Sequence, residues 1–241
     1  MKKAFVYLSA LSFILLLIGS CKKTNAPQYT TVTDYEGHIY KVFKIGNQYW
    51  MNANMRVEHY ADGSPLVNLY KGSPPHITNS DTARAYYLWQ GTDTSYIYDF
   101  GLYYNWSAAT RGGVSSNASP SGVQGLCPNG FHIPSDAEWQ TLINFLGGSA
   151  MAGGPMKGFS YWEGGNTGYG FQTASGFNSL PAGYCDSTGL FYQRDYDAYY
   201  WSTSTTDSTH ARIIIVSYGS TSVVDTFYNI KGAVSCRCLQ N

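Results

Sequence analysis

Apolar and polar positions along the 241-residue chain follow three different patterns, and each predicts a different kind of element. Residues 4–18 form one apolar run with no internal period. Within residues 40–51, two aromatic and β-branched runs flank Gly46-Asn47, a dipeptide suited to the positive φ of a two-residue turn, so a hairpin is predicted there. Trp139, Leu142, Ile143 and Leu146 fall at i, i+3, i+4 and i+7, the single apolar stripe of an amphipathic helix. Ser135 stands at its N-cap, Glu138 completes a capping box, and Gly147-Gly148 ends it. Leu102, Trp106 and Ala109 have near-helical spacing, which predicts a short helix within residues 101–110. The C-terminal third reads as strand upon strand at 199–204, 212–218, 223–228 and 233–239, with shorter strands expected at 156–162 and 169–172. Residues 62–65 read as a turn and 71–81 as a loop.

The first apolar run has a specific use. Lys2 and Lys3 precede it, and Gly19-Ser20 separate it from Cys21, the charge, grease and small-residue order of a secretory signal. It is too short to span a bilayer, which needs about 20 apolar residues. Ile18-Gly19-Ser20-Cys21 has the form of a bacterial lipobox, in which a peptidase cuts before a cysteine whose sulfur carries a diacylglycerol. The expected organisation is a signal peptide over 1–20, a lipidated tether over 21–33, and one domain over 34–241. Cell-envelope location is then expected, with the anchor at Cys21 in the outer membrane.

Composition narrows the partners. Net charge is zero and only 12% of residues are charged, which removes the electrostatic footprint that nucleic-acid binding requires. The 22 tyrosines and 26 glycines favour strands joined by tight turns and exclude an all-helical fold. Besides Cys21 there are four cysteines, Cys127, Cys185, Cys236 and Cys238, and an exported chain with an even count implies disulfides. Cys236 and Cys238 are two apart in an expected strand, so they share a face and do not readily bond each other. Two crossed pairings remain.

Signs of catalysis are weak. His38, His59, His76, His132 and His210 show no H-x-x-x-H spacing, no serine sits in a nucleophile elbow, and no phosphate loop occurs. Asp136 and Glu138 are explained as first-turn acids of the capped helix, and His132 as a hydrogen-bonding strut. Asp62, Asp93 and Asp207 fit turns better than cation sites. No metal or cofactor is expected. The chemistry that stands out is aromatic: residues 184–201 hold Tyr184, Phe191, Tyr192, Tyr196, Tyr199, Tyr200 and Trp201, interleaved with Gln193, Arg194 and several aspartates. Tyr200 and Trp201 read as core. Tyr192, Arg194, Asp195, Tyr196 and Tyr199 read as a charged loop in which rigid rings and hydrogen-bonding groups offer a ligand surface.

Cys127-Pro128-Asn129-Gly130-Phe131-His132-Ile133-Pro134-Ser135 resembles the C-P-x-G-W/F-H-L/I-P-S/T hallmark of the Fibrobacter succinogenes major paralogous domain. Trp50-Met51-Asn52-Ala53-Asn54-Met55, Tyr104-Asn105-Trp106-Ser107-Ala108-Ala109, Leu180-Pro181-Ala182-Gly183-Tyr184, Tyr200-Trp201-Ser202-Thr203-Ser204 and Val234-Ser235-Cys236-Arg237-Cys238 are similar to its other signatures, in order. The resemblance implies an α+β, C-type-lectin-like domain: a looped antiparallel sheet with two short helices and disulfides, its chain ends meeting in one sheet. It further implies Cys127 with Cys238 as the family disulfide. Cys236 stands where the family has valine, and with the equally unusual Cys185 it suggests a second bond, Cys185 with Cys236. The calcium-binding strings of true lectins, E-P-N or Q-P-D with W-N-D, are absent. Cys236 and Cys238 do not match the reactive pair of formylglycine-generating enzymes. The expected function is a non-catalytic exported lipoprotein whose domain binds or adheres to a glycan or protein. An envelope-assembly lipoprotein is the alternative, and an enzyme on a formylglycine-generating-enzyme-like fold the distant one.

Overall fold

The structure, a computed structural model, describes residues 28–68, 86–88, 95–164 and 175–241. The expected signal peptide, the expected lipidation site at Cys21, Asp93, the loop expected at 71–81 and the strand expected at 169–172 lie outside the described residues. The described part is mostly β, with short helices and one disulfide.

The chain opens with β1 (Tyr29–Thr33), β2 (Ile39–Ile45) and β3 (Gln48–Met51), paired antiparallel in that order. The predicted hairpin forms as expected: Ile45 pairs with Gln48 around a two-residue turn, and Gly46 takes φ +62°. β1 corrects the tether boundary. Tyr29 to Thr33 pair residue for residue with Phe43 to Ile39, and Val32 packs onto the core, so the folded unit starts before residue 34. Those five residues are aromatic and β-branched, a composition that suits an edge strand as well as a polar linker.

Next come β4 (Val67–Asn68), β5 (Tyr86–Leu88), α1 (Ser95–Phe100), β6 (Tyr103–Asn105) and α2 (Trp106–Thr110). The helix expected within 101–110 is shorter, because Tyr103–Asn105 is a strand and Asn105 is the N-cap of α2, its side chain accepting from Ala108 N at 2.9 Å. β7 (Phe131–His132) leads into α3 (Asp136–Phe145), the element most completely predicted: Ser135 and Glu138 form the reciprocal capping box, and Trp139, Leu142 and Ile143 are buried. α4 (Gly153–Met156) then replaces the start of the strand expected at 156–162. Four short helices thus stand among the described residues, against the two expected.

The remaining strands are β8 (Tyr184–Cys185), β9 (Phe191–Tyr192), β10 (Asp197–Thr205), β11 (His210–Ser217), β12 (Val223–Asn229), β13 (Ala233–Val234) and β14 (Leu239–Gln240). They complete three sheets, ordered β1-β2-β3-β14-β7, β10-β11-β12 and β4-β5-β6-β13-β8-β9. The segment expected as one strand over 233–239 is two strands separated by Cys236-Arg237-Cys238. This seam touches every sheet: Ala233 pairs with Cys185 and Asn105, Ser235 bridges Tyr200 of β10, and Leu239 pairs with Trp50 and His132.

β10 is buried along both faces, and its residues alternate between two cores. Tyr199 and Trp201 enter a cluster with Tyr40, Met51, Trp106 and Ile213, whereas Ala198 and Tyr200 enter one with Trp50, Trp139, Phe177 and Ile214. α3 lays its stripe on the second cluster, where Trp139 lies 4.6 Å from Trp50 and 5.6 Å from Tyr200 between ring centroids.

The disulfide Cys127–Cys238 is present, with Cα atoms 5.9 Å apart. The second expected bond is not: Cys185 and Cys236 are both free and buried. Cys185 sits opposite Ala233 in the ladder, and Cys236 lies three residues beyond Ala233, about 10 Å along an extended chain. Cysteines more than about 7 Å apart between Cα atoms cannot be bridged without moving backbone. The two thiols belong to different apolar clusters, Cys236 with Trp201 and Cys185 with Phe100 and Tyr103.

Candidate ligand-binding surface

The aromatic segment is built on the short hairpin β8–β9. Asp186 closes it, its Oδ1 accepting from Thr188 N at 2.8 Å, Thr188 Oγ1 at 2.6 Å and Leu190 N at 3.1 Å. Tyr184 then pairs with Tyr192 and Cys185 with Phe191. Beyond β9 the chain must reverse into β10, and it does so through two left-handed residues, Gln193 at φ +59° and Asp195 at φ +70°. Such a conformation costs about 1–2 kcal/mol per non-glycine residue, so the surroundings must hold it. Asp195 N donates to Pro181 O at 2.9 Å, Asp197 N to Gln193 O at 2.9 Å, Glu163 N to Asp195 O at 2.7 Å, and Tyr218 N to Tyr196 O at 2.7 Å. The reversal is fastened to three other segments.

The expected ligand residues separate into distinct settings on this frame. Tyr192 is 42% exposed and stacks on Tyr184 with ring centroids 5.4 Å apart. Tyr184 in turn meets Tyr199 at 4.9 Å and Tyr228 at 5.4 Å. Tyr196 is 45% exposed and presents its edge toward Tyr218 at 6.5 Å. Asp195 is exposed beside it. Tyr199 is a correction: it is 8% exposed and stands in β10 opposite Ile215, not in a loop. Its hydroxyl donates to Asp197 Oδ2 at 3.2 Å, and burial, then the Asp197 charge, hold its pKa well above the usual phenol value. The strand expected from residue 199 is there, but the charges before it suggested a solvent-facing ring where β10 buries both faces. Tyr200 and Trp201 are core, as expected, with Trp201 Nε1 donating to Tyr104 O at 2.7 Å.

Arg194 is only partly available. Its guanidinium lies 3.9 Å above the ring of Tyr96 and 5.1 Å from that of Phe100, both on α1, with Asp195 Oδ1 3.8 Å from Nε. Tyr161 packs on Phe100 at 4.8 Å and donates to Asp99 Oδ2 at 2.6 Å. Tyr96 and Tyr161 therefore extend the aromatic surface from α1 and the loop after α4. Neither was singled out by the sequence, because they lie some thirty to a hundred residues upstream and only folding brings them to Arg194.

His132 has the buried setting expected of a strut. Its Nδ1 lies 2.7 Å from Asn241 Oδ1 and its Nε2 2.9 Å from Glu138 Oε1, while Glu138 Oε2 accepts from Ser135 N at 3.0 Å. Burial pushes its pKa down, but the bonds to Glu138 and Asn241 outweigh that and raise it above 6.5. A cavity of about 220 Å³ borders it, lined by Pro120, Gly122, Gln124, Gly130, Phe131 and Asn241. His132 meets one carboxylate and one amide there. Asp62 and Asp207 form the expected turns, accepting from Ser64 N at 3.0 Å and Thr209 N at 2.6 Å.

Comparison with known proteins agrees with the sequence motifs. The family model described as the Fibrobacter succinogenes major domain matches residues 43–240, most of the chain. No curated protein and no solved structure matches it. The protein belongs to the Fibrobacter succinogenes major domain family.

Proposed function

We propose that the protein is an exported, lipid-anchored binding module with no catalytic role, and that its ligand, a glycan or a protein, seats on the rings of Tyr192 and Tyr196. The observation that carries this reading is the pairing of exposed rings with a fixed backbone. Tyr192 and Tyr196 present 42% and 45% of their surface on a reversal held left-handed at Gln193 and Asp195. Amphipathic rings on a preorganised frame lose little entropy on binding, and they stack on the apolar faces of sugars or on side chains. Strained backbone of this kind collects at ligand sites. The lipid anchor is read from the lipobox at Cys21. The C-type-lectin-like reading of the domain is supported by β1 and β14 sharing one sheet, which brings the two ends of the domain together.

The test is binding of the full chain in detergent to a glycan and exported-protein array, beside a Tyr192→Ala/Tyr196→Ala double variant of unchanged circular dichroism. The reading expects a ligand whose signal falls at least tenfold in the variant. Equal binding by the variant, or silence of a folded protein across the array, would overturn it and favour an envelope-assembly contact. Metabolic labelling with a fatty-acid precursor, lost in Cys21→Ser, tests the anchor separately.

A further inference from the structure

The loop between β1 and β2 carries carboxylate, carboxylate and imidazole at alternate positions: Asp34, Glu36 and His38. It is closed tightly, with Asp34 N donating to His38 O at 3.1 Å and Gly37 N to Asp34 O at 3.2 Å, and Gly37 supplies the left-handed φ of +85°. This folding places one donor atom from each of the three side chains within 4.8 Å of the others.

Each carboxylate is fixed from behind. Asp34, with its side chain 2% exposed, accepts from His38 N on Oδ1 at 2.8 Å and from the Tyr40 hydroxyl on Oδ2 at 2.8 Å. Glu36 reaches across to the segment after β3, where its Oε1 accepts from Glu58 N at 2.9 Å and His59 N at 2.8 Å, and lies 3.0 Å from His59 Nδ1. Its other oxygen, Oε2, is buried and has no hydrogen-bond partner among the described residues. A buried carboxylate oxygen without a donor is costly, and buried polar atoms that lack a partner in a native fold call for a water or an ion. His38 Nδ1 lies 2.9 Å from Asp34 Oδ2, and its side chain is 36% exposed, which opens the cluster to solvent.

We infer that Asp34, Glu36 and His38 form a site for one divalent transition-metal ion of the zinc class, with Glu36 Oε2 as the oxygen left free to ligate and a water in the remaining position. Tetrahedral ligands about 2.0–2.1 Å from zinc stand about 3.3 Å apart, so His38 and Asp34, 2.9 Å apart, separate by a few tenths of an ångström, and donors as far as 4.8 Å apart close by up to about 1.5 Å. The imidazole decides the class, since calcium and magnesium take oxygen ligands whereas zinc takes nitrogen and carboxylate together. Binding uses the neutral imidazole with its Nδ1 lone pair toward the ion and its proton on Nε2. The donors from Tyr40, Glu58 and His59 are the outer partners that hold ligating carboxylates in place. The ion would tie the β1–β2 hairpin to residues 58 and 59. The site stands on its own geometry, independent of the ligand surface proposed above.

The test uses the untagged full chain in detergent, stripped with chelator, in equilibrium dialysis with Zn²⁺ and in Co²⁺ titration followed by visible absorption. One Zn²⁺ per chain, and a Co²⁺ spectrum of a low-coordinate nitrogen and oxygen site, are expected. Glu36→Gln and His38→Ala are each expected to weaken binding at least tenfold, and His210→Ala to leave it unchanged. Glu36→Gln is nearly isosteric and keeps an oxygen to accept from Glu58 N and His59 N, and unchanged circular dichroism of each variant guards against loss of structure as the explanation. Absence of stoichiometric binding, or binding that survives both substitutions, would overturn the site.

Discussion

Arg237 and Asn54 are joined through a single atom: the guanidinium donates to Asn54 Oδ1 from Nε at 3.1 Å and from Nη2 at 2.6 Å, with both residues buried. The amide end of Asn54 continues the network to Phe100 O at 2.9 Å and Ser235 Oγ at 3.1 Å. Arg237 also donates from Nη1 to Phe177 O, and its charge lies 4.5 Å from the Phe177 ring and 5.2 Å from that of Tyr200. Its partners are carbonyls, hydroxyls and ring faces. Asn54→Leu leaves this buried cation short of its best acceptor and is expected to cost about 3 kcal/mol. Urea midpoints for Asn54→Leu, Arg237→Met and the double variant test it: the pair together should lose less than the sum of the singles.

The thiols give a second prediction. Burial pushes the Cys185 thiol up to about 12 and raises that of Cys236 well above the usual thiol value. The thiolate is the reactive form, so both should resist alkylation in the folded protein and react in denaturant. Mass spectrometry of the unreduced protein should therefore find two alkylated cysteines, among those at 127, 185, 236 and 238, only after unfolding. Finding none would restore the Cys185–Cys236 bond that the sequence suggested.

Removing the bond that does form should matter more. Cys127 and Cys238 are 111 residues apart, and closing a loop of that length stabilises by about 4–5 kcal/mol in the chain-entropy account. A Cys127→Ala/Cys238→Ala variant should show a denaturation midpoint lowered accordingly, with Cys185→Ala milder by comparison.

His132 makes stability depend on pH. Both ring nitrogens face acceptor oxygens, which favours the doubly protonated ring and raises the folded pKa above the unfolded 6.5. The contribution is fully present below pH 6.5 and fades as pH rises through the folded value. The stability difference between the protein and Glu138→Gln should accordingly widen as pH falls from about 9 to about 6, the range in which histidine titrates and carboxylates do not. A flat difference would remove His132 as its source.

Gly183 links the fold to the ligand surface. At φ +73° it lies against the reversal, where an added Cβ would sit 2.2 Å from Tyr192 O and 2.6 Å from Arg194 N. Gly183→Ala should destabilise by about 2 kcal/mol or more and shift the rings of Tyr192 and Tyr196, visible as altered near-ultraviolet circular dichroism.

Elements whose signals are local could be read from the sequence. Ser135, Glu138 and the stripe from Trp139 to Ile143 all lie within a few turns, and the hairpin at Gly46-Asn47 needs only its own turn. β1 could not be separated from a tether, because Val32 is its one partly buried residue and pairing with β2 is what gives it form. Tyr199 misled for the opposite reason. Its strand was expected, but neighbouring charges suggested a wet face for the ring, whereas β10 lies between two cores and buries both faces. At the proposed ligand surface Tyr192 and Tyr196 were singled out from composition and pattern, whereas Tyr96 and Tyr161 reach it through tertiary packing. The alternation Asp34, Glu36, His38 was in plain sight, yet a domain taken to start at residue 34 gave no reason to expect a closed loop there.

The seam formed by residues 233–240 makes two of the three sheets depend on one segment. It supplies the strand that joins β3 to β7 in one sheet and β6 to β8 in another, and only a bridge to the third, which pairs β10, β11 and β12 without it. Without it those two sheets fall into β1-β2-β3 and β7, and β4-β5-β6 and β8-β9, so their assembly rests on contacts far apart in sequence, the kind that forms slowly.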